Sequence, residues 1–531
     1  MTYDPHHLPE QLNLAEVFLY RQLPQFGDAV ALHFDGGEVT YRQIAEQTDR
    51  ATAVYKGLGL QLEERVLLML PDVPQFASAW LAAVKAGGVV AAVSPEQKAE
   101  EAAYYLSYTR ARLLVAHVSA LPVLEQVLTR CPHLRHVLVV GGEPGRHLSY
   151  EQECARATPD PSFAPTHKDD PAVWLFTSGS TGFPKAAVHK QHDFLFNALT
   201  YGLPVLGYGP KDVCLSVPKL AFGYALGTNL LFPLLAGASA VVFPEKSTPE
   251  RLFALIAQYR PTLLTSVPTS INAMASHPDA AQVDFSSLRV CISAGEALPA
   301  ELYHRWKART GVEILDGIGS AEMFHIFITN RLGEVKLGSL GRVVEGYEAK
   351  ICDDEGREVP RGEVGTLWIR GDSMALEYWQ QHEKSKHTFR GDWCVSADKF
   401  LQDEAGYFFF CGRGDDMLKV GGKWLSPLEV ENCLLAHPAV AEAAVVGFKD
   451  TDGLEKPKAF VVLSPGQQAT EGLAEALKAH VRTALAPFKA PRVVHFVDAL
   501  PKSDRGKVLK GALSQIVPPE AVHRRPPGAG G

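Results

Sequence analysis

As far as about residue 330, short runs of Val, Leu and Ala alternate with stretches whose apolar residues recur at helical spacing. Val66-Leu67-Leu68-Met69-Leu70, His136–Val140 and Ala240–Phe243 are such runs. A strand apolar at consecutive positions buries both of its faces, so this alternation predicts parallel sheets covered by helices.

From Gly338 to Arg370 the pattern shifts. Tyr347–Cys352 and Val364–Arg370 read as strands, and Asp354-Glu355-Gly356 between them reads as a turn, which predicts a small β-rich unit. Past Gly412 strands are expected at Ala443–Val446 and Ala459–Leu463. A helix should follow, with Leu473, Leu477, Val481 and Leu485 on one face. This stretch is the size of a separate α/β domain of about 110 residues. The closing Arg-Arg-Pro-Pro-Gly-Ala-Gly-Gly has the composition of a tail, and no internal repeat is found.

Composition narrows the class. The 531 residues are too many for one ordinary core, and 46% hydrophobic with 21% charged residues describes a soluble globular chain. A formal net charge of −8 gives no support to nucleic acid or an anionic membrane as partners, which leaves small molecules. The start, Met-Thr-Tyr-Asp-Pro-His-His, has neither the basic nor the apolar part of a signal peptide. Leu230–Val242 is too short to span a bilayer and is interrupted by Pro233 and Gly237. The eight cysteines, at 131, 154, 214, 291, 352, 394, 411 and 433, stand singly without metal-ligand spacing, so a reducing cytoplasm is the simplest location.

The strongest chemical signal is Thr-Ser-Gly-Ser-Thr-Gly-Phe-Pro-Lys, Thr177 to Lys185, directly after the apolar run Ala172–Phe176. It is not a Walker loop, because counting from Gly179 puts Pro184 where the second glycine belongs, and the dinucleotide fingerprint fails as well. Backbone N–H groups, hydroxyls and a lysine are nevertheless the donors that converge on a polyphosphate. Taken alone, the segment also reads as an ordinary connector between strands.

Further stretches decide between these readings. Ser293–Pro299 (SAGEALP), Asp316–Glu322 (DGIGSAE), Asp392–Asp398 (DWCVSAD), Gly412–Glu431 and Pro501–Lys507 (PKSDRGK) follow in order along nearly the whole chain. Together with the loop they resemble the adenylate-forming superfamily of acyl- and aryl-CoA synthetases, peptide-synthetase adenylation domains and luciferases. Lys219–Thr228, Asp316–Lys336 and Asp415–Glu431 are most similar to benzoate-CoA ligases. The resemblance implies an α/β fold with a large N-terminal domain, 1–414, of two α/β sheet subdomains plus the small β-rich unit. A smaller mobile C-terminal α/β domain, 415–520, and a tail, 521–531, complete it. It also implies ATP-dependent, AMP-forming ligation of benzoate or 2-aminobenzoate (anthranilate) to coenzyme A, with Mg²⁺ required.

Site residues carry over from these motifs. Thr177, Ser178, Gly179, Ser180, Thr181, Gly182 and Lys185 are expected to hold the phosphates, and Glu322 the Mg²⁺. Gly295, Glu296 and Ala297 should lie against adenine, with Asp316 accepting from its amine, and Gly317, Ile318, Gly319, Ser320 and Ala321 completing the nucleotide loop. The family commonly has Tyr where Ile318 stands and Thr where Ala321 stands, so a stacking ring and a hydroxyl donor are missing here. Asp398 and Arg413 match the ribose contacts, or form a surface ion pair. Lys507 is the expected adenylation residue, since a flexible ammonium can follow charge from the carboxylate to the α-phosphate. Gly421 and Gly422 match the passage for the CoA arm, and Asp415 the hinge about which the C-terminal domain turns between half-reactions, although Asp beside Gly also makes ordinary turns.

The expected acid pocket comprises Phe222, Gly223, Tyr224, Ala294, Gly319 and His325. Peptide-synthetase domains place an Asp near Gly223 for an α-ammonium group, so its absence argues against an α-amino acid. Glycine at 223 is expected to leave room for an ortho substituent, and His325 either hydrogen-bonds the substrate or is a buried structural residue. Two other readings stay open: loading of a carrier-protein thiol in place of CoA, and a nucleotide sensor without turnover. Monomer and homodimer are equally compatible with the sequence.

Overall fold

The continuous apolar runs become central strands. In the computed structural model, which describes residues 3–177, 183–414, 417–420, 423–450, 454–501 and 508–515, Arg65–Met69 lies between Val89–Ala92 and Leu113–His117, all parallel. Val66, Leu67 and Leu68 are fully buried. Burying such a side chain contributes about 1.5–3 kcal/mol, so an uninterrupted run secures its strand from both faces.

These strands belong to an eight-stranded sheet. Six are parallel, from Pro171–Thr177 across to Leu148–Ser149, and an antiparallel edge is made by Lys185–Lys190 and Glu377–Tyr378. A nine-stranded sheet repeats the plan. Its six parallel strands run from Ile314–Gly319 to Val30–Phe34, with Ile326–Thr329 and Arg342–Val343 antiparallel at one edge and Gly37–Thr40 at the other. Two α/β sheets in the larger part of the chain agree with the expected fold class.

The β-rich stretch supplies Glu348–Cys352 and Gly365–Arg370 to a five-stranded sheet with Trp393–Gln402, Phe389–Arg390 and Phe408–Arg413. The Asp354–Gly356 turn forms, closed by the Gly356 amide donating to Asp353 O at 3.1 Å.

By its contacts the chain divides into two units. One holds Met1–Lys350, Trp368–Ser396 and Asp403–Phe409, the other Ile351–Leu367, Ala397–Gln402 and Phe410–Gly531. The sequence reading divides the chain at 414 and 520, whereas the second contact unit also takes in Ile351–Leu367 and Ala397–Gln402 from earlier in the chain.

Within the second unit Val440–Lys449, Glu455–Leu463 and Val493–Phe496 form a three-stranded sheet. Helices Pro427–Leu435 and Glu471–Ala484 share its core through Val430, Leu434, Leu477 and Val481, which pack with Val445 and Val461. Leu485 falls just outside its helix. It is the capping residue, in extended conformation, and only packs against the cluster. Leu418–Val420 and Lys423–Leu425 form a two-stranded ribbon.

Candidate active site

The site of the first unit is built on the two antiparallel edges. Pro171–Thr177 and Lys185–Lys190 pair so that Thr177 faces Lys185, which fixes both ends of the glycine-hydroxyl segment. Ser178, Gly179, Ser180, Thr181 and Gly182 themselves lie outside the described residues. The segment's C-terminal end is held by aromatic contacts. Phe183 stacks on Tyr104 with ring centroids 4.4 Å apart, and the Tyr104 hydroxyl donates to Pro184 O at 2.6 Å. Tyr104 in turn stacks on Tyr108, one turn away on helix Ala99–Thr109.

Lys185 opens its strand with Nζ 3.5 Å from the centre of the Tyr378 ring and 3.9 Å from Glu322 Oε1. The Tyr378 hydroxyl donates to the same Oε1 at 2.5 Å. Tyr378 comes from the strand that pairs with Lys185–Lys190, opposite Ala187. Burial, reinforced by the adjacent Glu322 carboxylate, pushes the Tyr378 phenol far above its usual range, so it stays a donor. The same two causes push up the Cys394 thiol, with Lys185 opposing. Glu322 is thus a carboxylate oriented by a neutral hydroxyl beside an ammonium group. Among the described residues no cluster of three or more His, Cys, Asp or Glu side chains is arranged to hold a metal. A magnesium ion that takes its other oxygens from phosphate and water needs only one or two carboxylates, and Glu322 fits that requirement.

The second edge hairpin, Ile314–Gly319 with Ile326–Thr329, carries the loop expected to face the nucleotide. A side chain at Gly319 would meet the His325 carbonyl oxygen at 2.5 Å, so only glycine lets the two strands close here. Phe324 takes a φ of 66°, rare for a bulky residue, and Phe194 packs 4.3 Å from its ring centroid. That bend lies between Glu322, in the loop, and His325, which is buried.

Asp316 lies opposite Ser293 across two parallel strands and is buried. Burial pushes its carboxyl up to about 8, while the nearby Ser293 hydroxyl and the Gly317 and Leu298 amides act in the other direction. Ser293 Oγ and Asp316 Oδ1 are both buried without a well-aligned hydrogen-bond partner. Gly295 has a φ of 87°, and the Glu296 carboxylate is tied to the Thr269 hydroxyl at 2.7 Å. Ala297, Ile318 and Ser320 are partly exposed. Ala321 contributes its carbonyl, which receives a bond from His189 Nε2 at 2.7 Å.

His325 Nε2 is 2.9 Å from the Tyr224 carbonyl and therefore carries a hydrogen. Burial holds the His325 pKa down at about 4, so the ring is neutral and Nδ1 is a bare acceptor, with no hydrogen-bond partner. Rings of Tyr201, Tyr224, Phe232 and Phe324 stand 5.0–5.5 Å away. Tyr224 donates to Ser266 O at 3.3 Å, and Ala294 is buried. Phe222 is 56% exposed.

Gly223 departs from the expectation of free space. A methyl group there would press on Leu175 Cδ1 and the Phe324 carbonyl oxygen, both at 3.1 Å. The missing methyl is taken up by these neighbours, so glycine serves packing at this position. Upstream, the Leu220 amide donates to the buried Asp72 carboxylate at 2.9 Å and ties this segment to the end of a parallel strand.

In the second unit, Asp398 lies on strand Trp393–Gln402 and Arg413 ends the neighbouring strand Phe408–Arg413. The sequence reading assigns both to the N-terminal domain. Gly421, Gly422, Asp415, Lys507 and the side chain of Arg413 lie outside the described residues. A cavity of about 490 Å³ in this unit is lined by Lys456, Arg482 and Arg492 beside Pro487 and Phe488. Sequence reasoning missed it, although Phe488-Lys489-Ala490-Pro491-Arg492 offered the cue of basic residues around an aromatic one. It also missed Tyr378, His189 and Asp193, which stand outside the residues assigned from the motifs. The spacing of Tyr104 and Tyr108 could have been read.

Two mostly parallel sheets whose antiparallel edges bring together a lysine and a hydroxyl-oriented carboxylate, with a second, smaller unit, define an α/β protein. Residues 19–379 match the AMP-binding enzyme family and residues 429–507 match the AMP-binding enzyme C-terminal domain, so the chain belongs to the AMP-binding enzymes. It is 43% identical over 511 residues to a benzoate–CoA ligase of Thauera aromatica, covering 95% of this chain and 96% of that one. The crystal structure of the anthranilate CoA ligase AuaEII in complex with anthranoyl-AMP superposes with a TM-score of 0.89 at 39% identity, over 96% of this chain and 98% of the other. A benzoate CoA ligase from Burkholderia xenovorans gives a TM-score of 0.84 at 40% identity, over 95% and 100%.

Proposed function

We infer that this chain is an AMP-forming aryl-CoA ligase acting on benzoate or 2-aminobenzoate. The observation that carries the reading is the Lys185–Tyr378–Glu322 cluster, with Lys185 paired opposite Thr177 at the two ends of the glycine-hydroxyl segment. In the first half-reaction an oxygen of the aromatic carboxylate bonds to the α-phosphorus of ATP and pyrophosphate leaves. In the second, the CoA thiolate bonds to the acyl carbon and AMP leaves with the electron pair of the broken C–O bond.

Both steps gather negative charge, which preorganised donors stabilise without reorganisation. Lys185 and the hairpin amides and hydroxyls would receive the β- and γ-phosphates. Glu322 would hold Mg²⁺ on the triphosphate, where the ion neutralises charge on the phosphate oxygens. Asp316 Oδ1 would accept from the adenine amine, and Asp398 with Arg413 would bind the ribose. Lys507 would bridge substrate carboxylate and α-phosphate in adenylation. Turning about Asp415 would then replace it by the Gly421–Gly422 passage for CoA.

His325 bears on which acid is used. A bare ring nitrogen accepts a hydrogen bond and repels a carboxylate, so a substrate contact of His325 would be with a donor substituent on the ring and not with the carboxylate. An ortho amino group supplies such a donor, and unsubstituted benzoate does not. The cavity with Lys456, Arg482 and Arg492 suits the 3′-phosphorylated nucleotide of CoA, the most highly charged part of that substrate.

The test is AMP and pyrophosphate release by the purified protein with MgATP, CoA and a panel of ring acids. Aryl-CoA formation from benzoate or 2-aminobenzoate supports the reading. No AMP with any acid overturns it, and transfer only to a phosphopantetheinylated carrier protein would replace CoA as acceptor. Among the described residues no helix is long and apolar enough to cross a membrane.

A further inference from the structure

The strand that begins with Lys185 carries a second group turned to the nucleotide loop. His189 lies on it, and both His189 and Asp193 are completely removed from solvent. His189 Nδ1 is 2.7 Å from Asp193 Oδ2, and Nε2 is 2.7 Å from the Ala321 carbonyl oxygen.

The partners dictate where the protons are. A carbonyl oxygen can only accept, so Nε2 carries a hydrogen. Asp193 Oδ2 also receives the Lys190 backbone N–H at 3.1 Å, and an ionised Asp193 can only accept, so beside that anion Nδ1 carries a hydrogen as well. A ring protonated on both nitrogens is an imidazolium. Asp193 supplies the counter-charge, and the rings of Phe194 and Phe324 stand edge-on to the imidazole at 5.6 Å and 6.5 Å and close it off from solvent. The other Asp193 oxygen, Oδ1, is flanked by Lys190 Nζ at 3.6 Å and His192 Nε2 at 3.3 Å. Isolated charge is costly to bury, and a pair retained fully buried constrains geometry tightly.

We propose that His189, held as an imidazolium by Asp193, is a positioning residue for adenylation that fixes the Ala321 carbonyl and through it the placement of Glu322. The strand then serves the triphosphate twice: Lys185 at its start contributes a cation, and His189 four residues on pegs the loop bearing the acidic residue. The proposal rests on reading Glu322 as the Mg²⁺ carboxylate.

Nitrogen-15 NMR of histidine-labelled full-length protein, with His189→Gln to assign the resonance, reads the proton count directly. At pH 8 the wild-type ring should show two protonated nitrogens, and Asp193→Asn should lose one of them. Pyrophosphate release titrated with Mg²⁺ should then shift in Asp193→Asn and His189→Gln, with half-saturation raised or the rate lowered about 10–100-fold. The KM for the aromatic acid should stay unchanged. A single protonated nitrogen in the wild type, or a Mg²⁺ titration unaltered in both variants, overturns the proposal. Should His189→Gln fail to fold, the resonance that changes in Asp193→Asn identifies His189, and its proton count in the wild type at pH 8 still decides it. If the family reading of the site is wrong, wild-type protein releases no pyrophosphate with any acid while the NMR result stands independently.

Discussion

The Tyr378 hydroxyl reaches Glu322 Oε1 at 2.5 Å while the ammonium of Lys185 lies over the face of the same phenol ring. One aromatic side chain therefore sets the distance between the cation and the carboxylate of the site. Tyr378→Phe keeps the ring under Lys185 and removes only the donor. The expected result is adenylation slowed about 10–100-fold, the usual cost of removing a group that orients a metal-binding carboxylate, with the acid KM unchanged. Pyrophosphate release measured against Mg²⁺ and acid concentration checks this. A variant indistinguishable from wild type would remove Tyr378 from the mechanism.

The two half-reactions should separate by mutation. Lys507→Ala is expected to lower adenylate formation by about 10²–10³, the cost of losing one preorganised donor. Aryl-AMP supplied from outside should still be converted to the thioester. Gly421→Trp should do the reverse, blocking the passage for CoA and sparing pyrophosphate exchange. Equal damage to both steps by both substitutions would contradict alternation of Lys507 and the glycine passage.

The central strands were legible because a run such as Val66–Leu68 is apolar at consecutive positions and is buried on both faces. The antiparallel edges were not: Glu377–Tyr378 carries no pattern of its own, and Ile326–Thr329, although apolar and buried, is too short to show which neighbour it pairs with or in which direction. Motif residues such as Lys185 and Glu322 could be named from the sequence and do come together. Tyr378, far along the chain from Lys185, reaches it only through strand pairing, which no local spacing encodes. Gly223 shows the opposite failure. An absent side chain reads as free volume in a sequence, whereas in the fold Leu175 and the Phe324 carbonyl occupy the space.

The basic cavity of the second unit makes a substrate-selective prediction. Replacing Arg482 or Arg492 by Ala should raise the KM for CoA, since hydrogen bonds to charged groups contribute about 1.5–3 kcal/mol, or roughly 10–100-fold. Dephospho-CoA, which lacks the 3′-phosphate, should be used equally by wild type and variants, and the wild-type preference for CoA should weaken with salt. Equal losses with both thiols would place the nucleotide elsewhere.

Asp316 predicts a pH dependence whose sign can be worked out. Burial raises its carboxyl from 3.8 to about 8, so between these values the folded chain holds a proton that the unfolded chain has released. Stability changes with pH in proportion to protons bound by the unfolded state minus those bound by the folded state, which here is negative. The stabilising contribution is therefore complete below about pH 4 and is lost as pH rises toward 8. His325, lowered from 6.5 to about 4, acts oppositely: its contribution is present above 6.5 and is lost as pH falls toward 4. From pH 6.5 to 8 only the Asp316 effect of the two operates, so Asp316→Asn should gain thermal stability relative to wild type across that interval. An adenine amine donating to Oδ1 favours the ionised carboxylate, so saturating AMP should flatten the wild-type decline and leave the variant's profile unaltered. Unfolding midpoints of both proteins at pH 6.5, 7.25 and 8, with and without AMP, provide the measurement. Parallel profiles in the absence of AMP would show that Asp316 is not the buried acid this geometry requires.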